Sequence, residues 1–205
     1  MRRRSARPEQ WERVPTVRES VSIACGPTGT LRIVVVADTH SEPHPRALAQ
    51  VATLRPDAVL HAGDIGELRV LDALREIAPL TAVRGNIDSR GNALPDTVSI
   101  EIVGAAAGNL RMLLTHIAVS GPRITAGVAR EATAEGASLV VCGHSHIPFI
   151  GRDRGLTVFN PGSIGPRRFS LPIVFGVIDI ALDGVRLAHH DVETGLPWNP
   201  PELRA

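Results

Sequence analysis

Lysine is missing altogether: every one of the 22 basic side chains in this 205-residue sequence is arginine. That excludes lysine nucleophiles and Schiff-base chemistry, and the bias is of the kind a genome's composition imposes rather than catalysis. Cysteine is scarce as well. Cys25 and Cys142 alone are far too few for the disulfide framework of a small secreted domain, and Cys142, inside an apolar run, reads as a small core residue. Charge of neither sign predominates, and a net charge of +1 gives no electrostatic case for a nucleic-acid surface or a membrane. No apolar stretch approaches a transmembrane span. The N-terminus opens with Arg2-Arg3-Arg4 but continues through Glu9, Gln10, Glu12 and Arg13, without the apolar segment of a secretory signal. A cytoplasmic protein is expected. Internal repeats and domain linkers are missing too. Residues 1–30 read as an appended, partly disordered arm with one short strand at Val21–Ala24. Residues 31–205 read as one domain, and a hydrophobic content of 43% can fill its core.

What the chain does have is a set of apolar runs that stop abruptly. Leu31–His40, LRIVVVADTH, ends in Asp38-Thr39-His40. Ile33–Ala37 predict a buried strand, and Asp38 and His40, two apart, are expected to project the same way from extended backbone. Open α/β sheets place their ligands at the carboxyl ends of strands. The pattern recurs: Asp64 follows Ala58–Gly63, Asn86 follows Ala82–Gly85, His116 follows Met112–Thr115, and His144 and His146 follow Leu139–Gly143. A lone Asp after a strand is ordinarily a turn former or helix cap, and a lone His a satisfied core or surface residue. Five separate strand ends that all carry metal-ligating residue types are poorly explained that way.

Between these runs the pattern alternates. Pro45–Leu54 and Glu67–Ile77 predict helices, and Val59-Leu60 and Leu80–Val83 the strands that follow them. This βαβαβ order implies a parallel sheet with right-handed crossovers. The second half is richer in strands, expected at Val98–Val103, Leu110–Leu114, Leu139–Cys142, Leu156–Phe159, Ile173–Ile180 and Val185–His190, with one helix over Ile124–Glu135.

Carboxylate, imidazole and amide donors together suit Mn, Fe or Zn. Seven ligands are too many for one tetrahedral ion, but a two-metal centre, with ions about 3.5–4 Å apart, uses them all if one carboxylate bridges. The ordered set Asp38-Thr39-His40, Gly63-Asp64, Gly85-Asn86, His116 and Gly143-His144-Ser145-His146 resembles the signature of calcineurin-like metallophosphoesterases. The nearer likeness is to the small single-domain phosphodiesterase group of bacteria and archaea, which shares Asn160-Pro161-Gly162-Ser163. It covers roughly Arg32–Asp191. The resemblance implies an α/β fold, a four-layer αββα sandwich of two mixed β-sheets flanked by helices. It also implies a dinuclear centre in which Asp38, His40, Asp64 and His146 hold one metal and Asp64, Asn86, His116 and His144 the other, with Asp64 as the bridge. Mn is the favoured ion, with Fe, Zn, Ni and Mg as alternatives.

Two such cations lower the pKa of a shared water and neutralise phosphoryl oxygens during in-line attack. Hydrolysis of a phosphate ester, a diester in first place, is the expected activity, with Asp64 and Asn86 as catalytic residues. Asn86, Arg167 and Arg168 are candidates for gripping the phosphate, and the backbone around Gly162-Ser163 for shaping the site floor. Two departures from the family pattern stand out. Ile87 occupies the position where many larger members carry a His thought to protonate the leaving group, and small relatives often a Cys. His116 is followed by Ile117 and Ala118 where Gly and His are common. An alkyl side chain cannot act as an acid, which leaves His44, His61 or a metal-bound water for that step. A different class of function stays open beside the enzyme: a retromer subunit of eukaryotes shares the fold and uses it as a protein-binding scaffold. A phosphomonoesterase is a further alternative, and homo-oligomerisation is compatible with the sequence. Loops at His40–Pro45, Asp88–Pro95 and Ile147–Arg154 are expected to form the pocket walls.

Overall fold

The chain is described by a computed structural model covering residues 16–90, 94–168 and 170–199. Its elements are β1 (Arg18–Ala24), β2 (Leu31–Val36), α1 (Ala47–Thr53), β3 (Ala58–His61), α2 (Arg69–Arg75), β4 (Leu80–Ala82), β5 (Thr97–Val103) and β6 (Leu110–Thr115). They continue with β7 (Val119–Ser120), β8 (Arg123–Ile124), α3 (Ala126–Ala134), β9 (Leu139–Val141), β10 (Phe149–Asp153), β11 (Leu156–Asn160), β12 (Val174–Ala181), β13 (Gly184–Asp191) and β14 (Pro197–Trp198).

The apolar runs are continuous because the central strands are covered on both faces. Ile33 and Val35 of β2 enter the layer between the sheets with Leu60, Ile100, Leu114 and Ile178, while Val34 and Val36 pack against Val51 of α1 and Leu74 of α2. Behind the other sheet, Leu113, Val140 and Val158 meet Ala129 and Ala132 of α3. Three apolar layers therefore separate helices, sheet, sheet and helix, the expected αββα architecture. Each fully buried Val, Leu or Ile in them contributes roughly 1.5–3 kcal/mol.

One sheet runs β14-β13-β12-β2-β3-β4 and the other β1-β5-β6-β9-β11-β10. β2, β3 and β4 are parallel, as the βαβαβ order requires, and β12 lies antiparallel to β2. In the second sheet β6, β9 and β11 are parallel neighbours. Both sheets are thus mixed, and each sends adjacent parallel strands toward the site.

Three stretches differ from expectation. Arg18–Ala24, from the segment read as an arm, is a full edge strand paired in parallel with β5. Its pattern is weak because only Val21 and Ile23 pack against the core, each incompletely. Residues 1–15 of the expected arm lie outside the described residues. The stretch Ile147–Arg154, expected as a loop, holds β10, antiparallel to β11. Arg154 and Gly155, both with positive φ of 53° and 78°, close that hairpin as a type I′ turn does. Ile124, expected in a helix, belongs to β8, and the helix begins only after Thr125, whose side chain accepts the Val128 N–H in the manner of an N-cap. Of the expected loop 88–95, residues 91–93 lie outside the described residues.

Candidate metal centre

Asp38 and His40 come together, but not from extended backbone. Their φ angles are 54° and 47°, and Asp64, His144 and His146 are left-handed too, at 55°, 70° and 58°. Such a conformation costs a non-glycine residue about 1 kcal/mol or more, and five of them in one cluster persist only because the surroundings over-determine them. Parallel pairing carried past the strand ends does that: Asp38 N–H donates to Gly63 O at 2.9 Å, His40 N–H to Asp64 O at 3.0 Å and Gly143 N–H to His116 O at 3.0 Å. Glycine lets the loops abut. A Cβ on Gly63 would lie 2.7 Å from His116 Nδ1, and one on Gly85 only 2.2 Å from Asp64 N.

The side chains form two groups. Asp38, His40 and His146 bring their ligand atoms within 4.8 Å of one another, and Asp64, His116 and His144 do the same. His40 Nε2 and His146 Nε2 are 3.3 Å apart, and His146 Nε2 is 3.5 Å from Asp38 Oδ1. In the other group His116 Nδ1 donates to Ala62 O at 2.7 Å, which turns Nε2 toward Asp64 Oδ1 at 3.2 Å. The second oxygen of Asp64, Oδ2, lies 3.6 Å from His40 Nε2. One carboxylate thus addresses both groups, one oxygen each.

Acceptor atoms that converge this closely repel unless positive charge lies among them. Without a metal, a proton has to serve. Burial would lower the His116 imidazole, but Asp64 and the Ala62 carbonyl outweigh it and raise its pKa. Burial would likewise raise Asp64, yet His116 and the Ile87 N–H hold it below the ordinary carboxylate range. In the first group burial pushes Asp38 up to about 7. Burial and the Arg168 charge push His146 down to about 4, and burial lowers His40 and His144. Neutral imidazoles with free ring nitrogens are the form that ligates a metal. His146 Nδ1 is moreover buried without a hydrogen-bond partner among the described residues. The donor set and the convergence fit divalent cations, and the two groups are two candidate metal sites.

A second set of side chains fixes the loops. His61, fully buried, accepts the Gly63 N–H at Nδ1, which leaves Nε2–H to donate to Thr39 Oγ1 at 3.0 Å, and Thr39 in turn donates to Ile65 O. Burial drives its pKa down to about 3, so His61 is neutral, internally bonded and shut away from any leaving group. The buried Asp88 carboxylate accepts the N–H groups of Ile65, Gly66 and Gly85 and so ties the Asp64 loop to the Asn86 loop. Asn160 donates to Gly143 O and Ser145 Oγ, and Ser163 Oγ donates to Asp38 O at 2.9 Å. The Asn-Pro-Gly-Ser segment therefore braces two metal loops from behind through side chains as well as backbone. Sequence reasoning missed His61 and Asp88 in this role. The available signal was proximity in sequence: His61 ends β3 three residues before Asp64, and Asp88 follows Asn86 by two.

The remaining expected residues are placed unevenly. Asn86 has an exposed side chain, and its neighbours Gly85 and Ile87 hold its backbone against Asp64. Arg168 reaches the centre and donates to His40 Nε2 at 3.1 Å. Arg167 turns elsewhere, to Leu171 O and the Glu193 carboxylate. Ile87, Ile117 and Ile147, each directly after a candidate ligand, are 51%, 40% and 50% exposed, so the centre is flanked by exposed alkyl groups.

Comparison with known proteins gives a consistent result. Residues 31–183 match the calcineurin-like phosphoesterase superfamily domain. A probable metallophosphoesterase of Methanocaldococcus jannaschii is 31% identical over 140 residues, covering 66% of this chain and 69% of that protein. Among solved structures, a predicted phosphoesterase of Streptococcus pneumoniae superposes with a TM-score of 0.61 at 24% identity, over 82% of this chain and 96% of that one. Vps29 of Entamoeba histolytica in complex with Zn2+ superposes with a TM-score of 0.64 at 23% identity, over 82% and 96%. At these identities the two structures speak to the fold alone.

Proposed function

The chain belongs to the calcineurin-like phosphoesterase superfamily, and on that premise we propose that it hydrolyses phosphodiesters at a dinuclear metal centre. Asp38, His40 and His146 hold one ion and His116, His144 and Asn86 the other, with Asp64 between them. The observation that carries this reading is the Asp64 carboxylate, whose Oδ1 lies 3.2 Å from His116 Nε2 and whose Oδ2 lies 3.6 Å from His40 Nε2. When bound, two divalent cations, Mn favoured, supply Lewis-acid stabilisation of the phosphoryl oxygens and an acidified water.

The chain's own residues do the rest. Asp88, His61, Asn160 and Ser163 keep the ligand loops from relaxing, because each satisfies loop N–H, C=O or hydroxyl groups from inside the fold. Asn86 offers an amide to the phosphate from its exposed position beside Asp64. Arg168 adds an exposed guanidinium at the first ion's side and Arg167, engaged with Glu193, does not. Ile87 places an alkyl group where an acid would assist the leaving group, and His61 is sealed away. Departure of the leaving group then depends on its own stability as an anion.

Hydrolysis of bis(4-nitrophenyl) phosphate with added Mn2+, and its loss on chelation, tests the reading. Aryl diesters should turn over far faster than alkyl diesters, in a steep plot of log turnover against leaving-group pKa, and faster than the 4-nitrophenyl monoester. A flat plot with chemistry rate-limiting would mean that another acid is at work. A faster monoester would make the chain a phosphomonoesterase. The three exposed isoleucines around the centre favour a second reading, a protein-binding scaffold of the same fold. Metal uptake without turnover of any ester would select it.

A further inference from the structure

Beside the Asp64 group lies a recess of about 300 Å3 whose walls include Asn86 and His116 from the centre together with Arg84, Arg90 and Asp96. Since a water occupies about 30 Å3, the recess has room for a carboxylate or phosphate group and part of its linker. Its charge is not balanced. Asp96 Oδ1 is 2.5 Å from Arg84 Nε, and Asp96 Oδ2 is 3.6 Å from Arg90 NH1 and also accepts the Val17 N–H at 2.8 Å. One carboxylate therefore serves two guanidiniums and a backbone donor. Arg84 is further anchored by a bond from NH1 to Gly85 O, and only 17% of its side chain is exposed. Arg90 is half exposed, and 3.6 Å is too long for a hydrogen bond, so among the described residues its fork meets no hydrogen-bonded acceptor and faces the recess.

Taking the phosphoesterase reading as its basis, we infer that this recess binds a second anionic group carried by the substrate. The substrates are then phosphate esters that bear a carboxylate or a further phosphate away from the scissile bond. A rigid guanidinium beside a free one, in a recess that shares Asn86 and His116 with the centre, suits planar bidentate recognition of an anion. The surplus positive charge selects the sign of the group. Asp96 keeps the two arginines from repelling each other when no ligand is bound, and at 3.6 Å it makes no hydrogen bond to Arg90.

The test is equilibrium binding by calorimetry to the Mn2+-loaded protein. Short ω-carboxyalkylphosphonates of graded chain length are compared with alkylphosphonates of the same lengths. At one length or more the carboxylate should tighten binding about tenfold, the size of one good charge-assisted contact. In Arg90→Ala that ratio should fall to near unity, and in Arg90→Glu below it. Arg186→Ala, which removes the same charge from the remote β13, should keep the wild-type ratio. A ratio near unity at every length in the wild type, or one that survives both Arg90 variants, overturns the inference and leaves the phosphoesterase reading standing. If neither series binds, the phosphoesterase reading fails first and takes the inference with it.

Discussion

The two halves of the centre use nearly the same ligand types but store charge differently in the absence of metal. Around Asp64 the carboxylate, against its burial, is held below its ordinary range by His116, and it raises the His116 imidazole in turn. Around Asp38 the imidazoles are neutral, the carboxyl holds its proton up to about 7, and Arg168 supplies the positive charge from outside. The difference follows from burial. Asp38 has no exposed surface, while Asp64 is slightly exposed and faces His116 directly. Burial without a close cation keeps a carboxyl neutral, and burial beside an imidazole makes an ion pair. Asp64, His116 and His144 would hold a metal in their ligating, unprotonated forms, and Asp38, His40 and His146 would do so only once Asp38 is ionised and His40 is released from Arg168.

The largest effect should come from removing the residue the halves share. Asp64→Ala should cost more than the 10²- to 10³-fold typical of one electrostatic donor, leaving turnover below detection, and metal analysis should show both ions depleted. Near-normal metal content in that variant would break the bridging role.

Acid should act next, and on both halves. The ligating forms are unprotonated, so protons compete with the metal. Below about 7, where Asp38 takes up its proton, affinity of that half should fall about tenfold per pH unit. His116, raised above 6.5, imposes the same sign on the other half, and Asp64, held low, adds nothing in this range. The metal-free fold behaves inversely. Its Asp38 keeps a proton that the unfolded chain releases above about 4, so this group lowers stability as pH rises from about 4 to 7. Metal should therefore raise the melting temperature more at pH 8 than at pH 5.5, and an equal or smaller rise at pH 8 would contradict the assignment.

Much of this was legible beforehand. Apolar runs ending in Asp or His located β2, β3, β6 and β9 and six of the candidate ligands, because the buried length of such a strand is mostly apolar and polar side chains gather where it ends. The left-handed turns were not legible, since any residue type can be forced into them by neighbours distant in sequence. Neither was the division of labour between Arg167 and Arg168, which depends on where Glu193 falls. β1 was half visible, because an edge strand that buries little leaves a faint pattern. The bracing carboxylate of Asp88 was hidden for another reason: its three partners are backbone N–H groups, which have no sequence.

Asp88 gives the smallest of these effects and sharpens the comparison, because it accepts from the Asp64 and Asn86 loops and from neither loop that carries Asp38, His40 or His146. Asp88→Asn exchanges an acceptor for a donor at one position. It should weaken metal binding or turnover by about 10- to 100-fold through that half, with the Asp38 half filling as in the wild type. Loss of the Asp38-half ion instead would show that the loops are not braced independently.

Metal content of His146→Ala and His116→Ala, compared with that of the wild type after loading with Mn2+ at pH 8, tests the two-site account most directly. The account predicts two ions per chain in the wild type and one in each variant. The survivor should be bound more weakly at pH 6 because of His116 in the first variant and because of Asp38 in the second. A single ion in the wild type, or its complete loss in both variants, would mean that the two groups form one site.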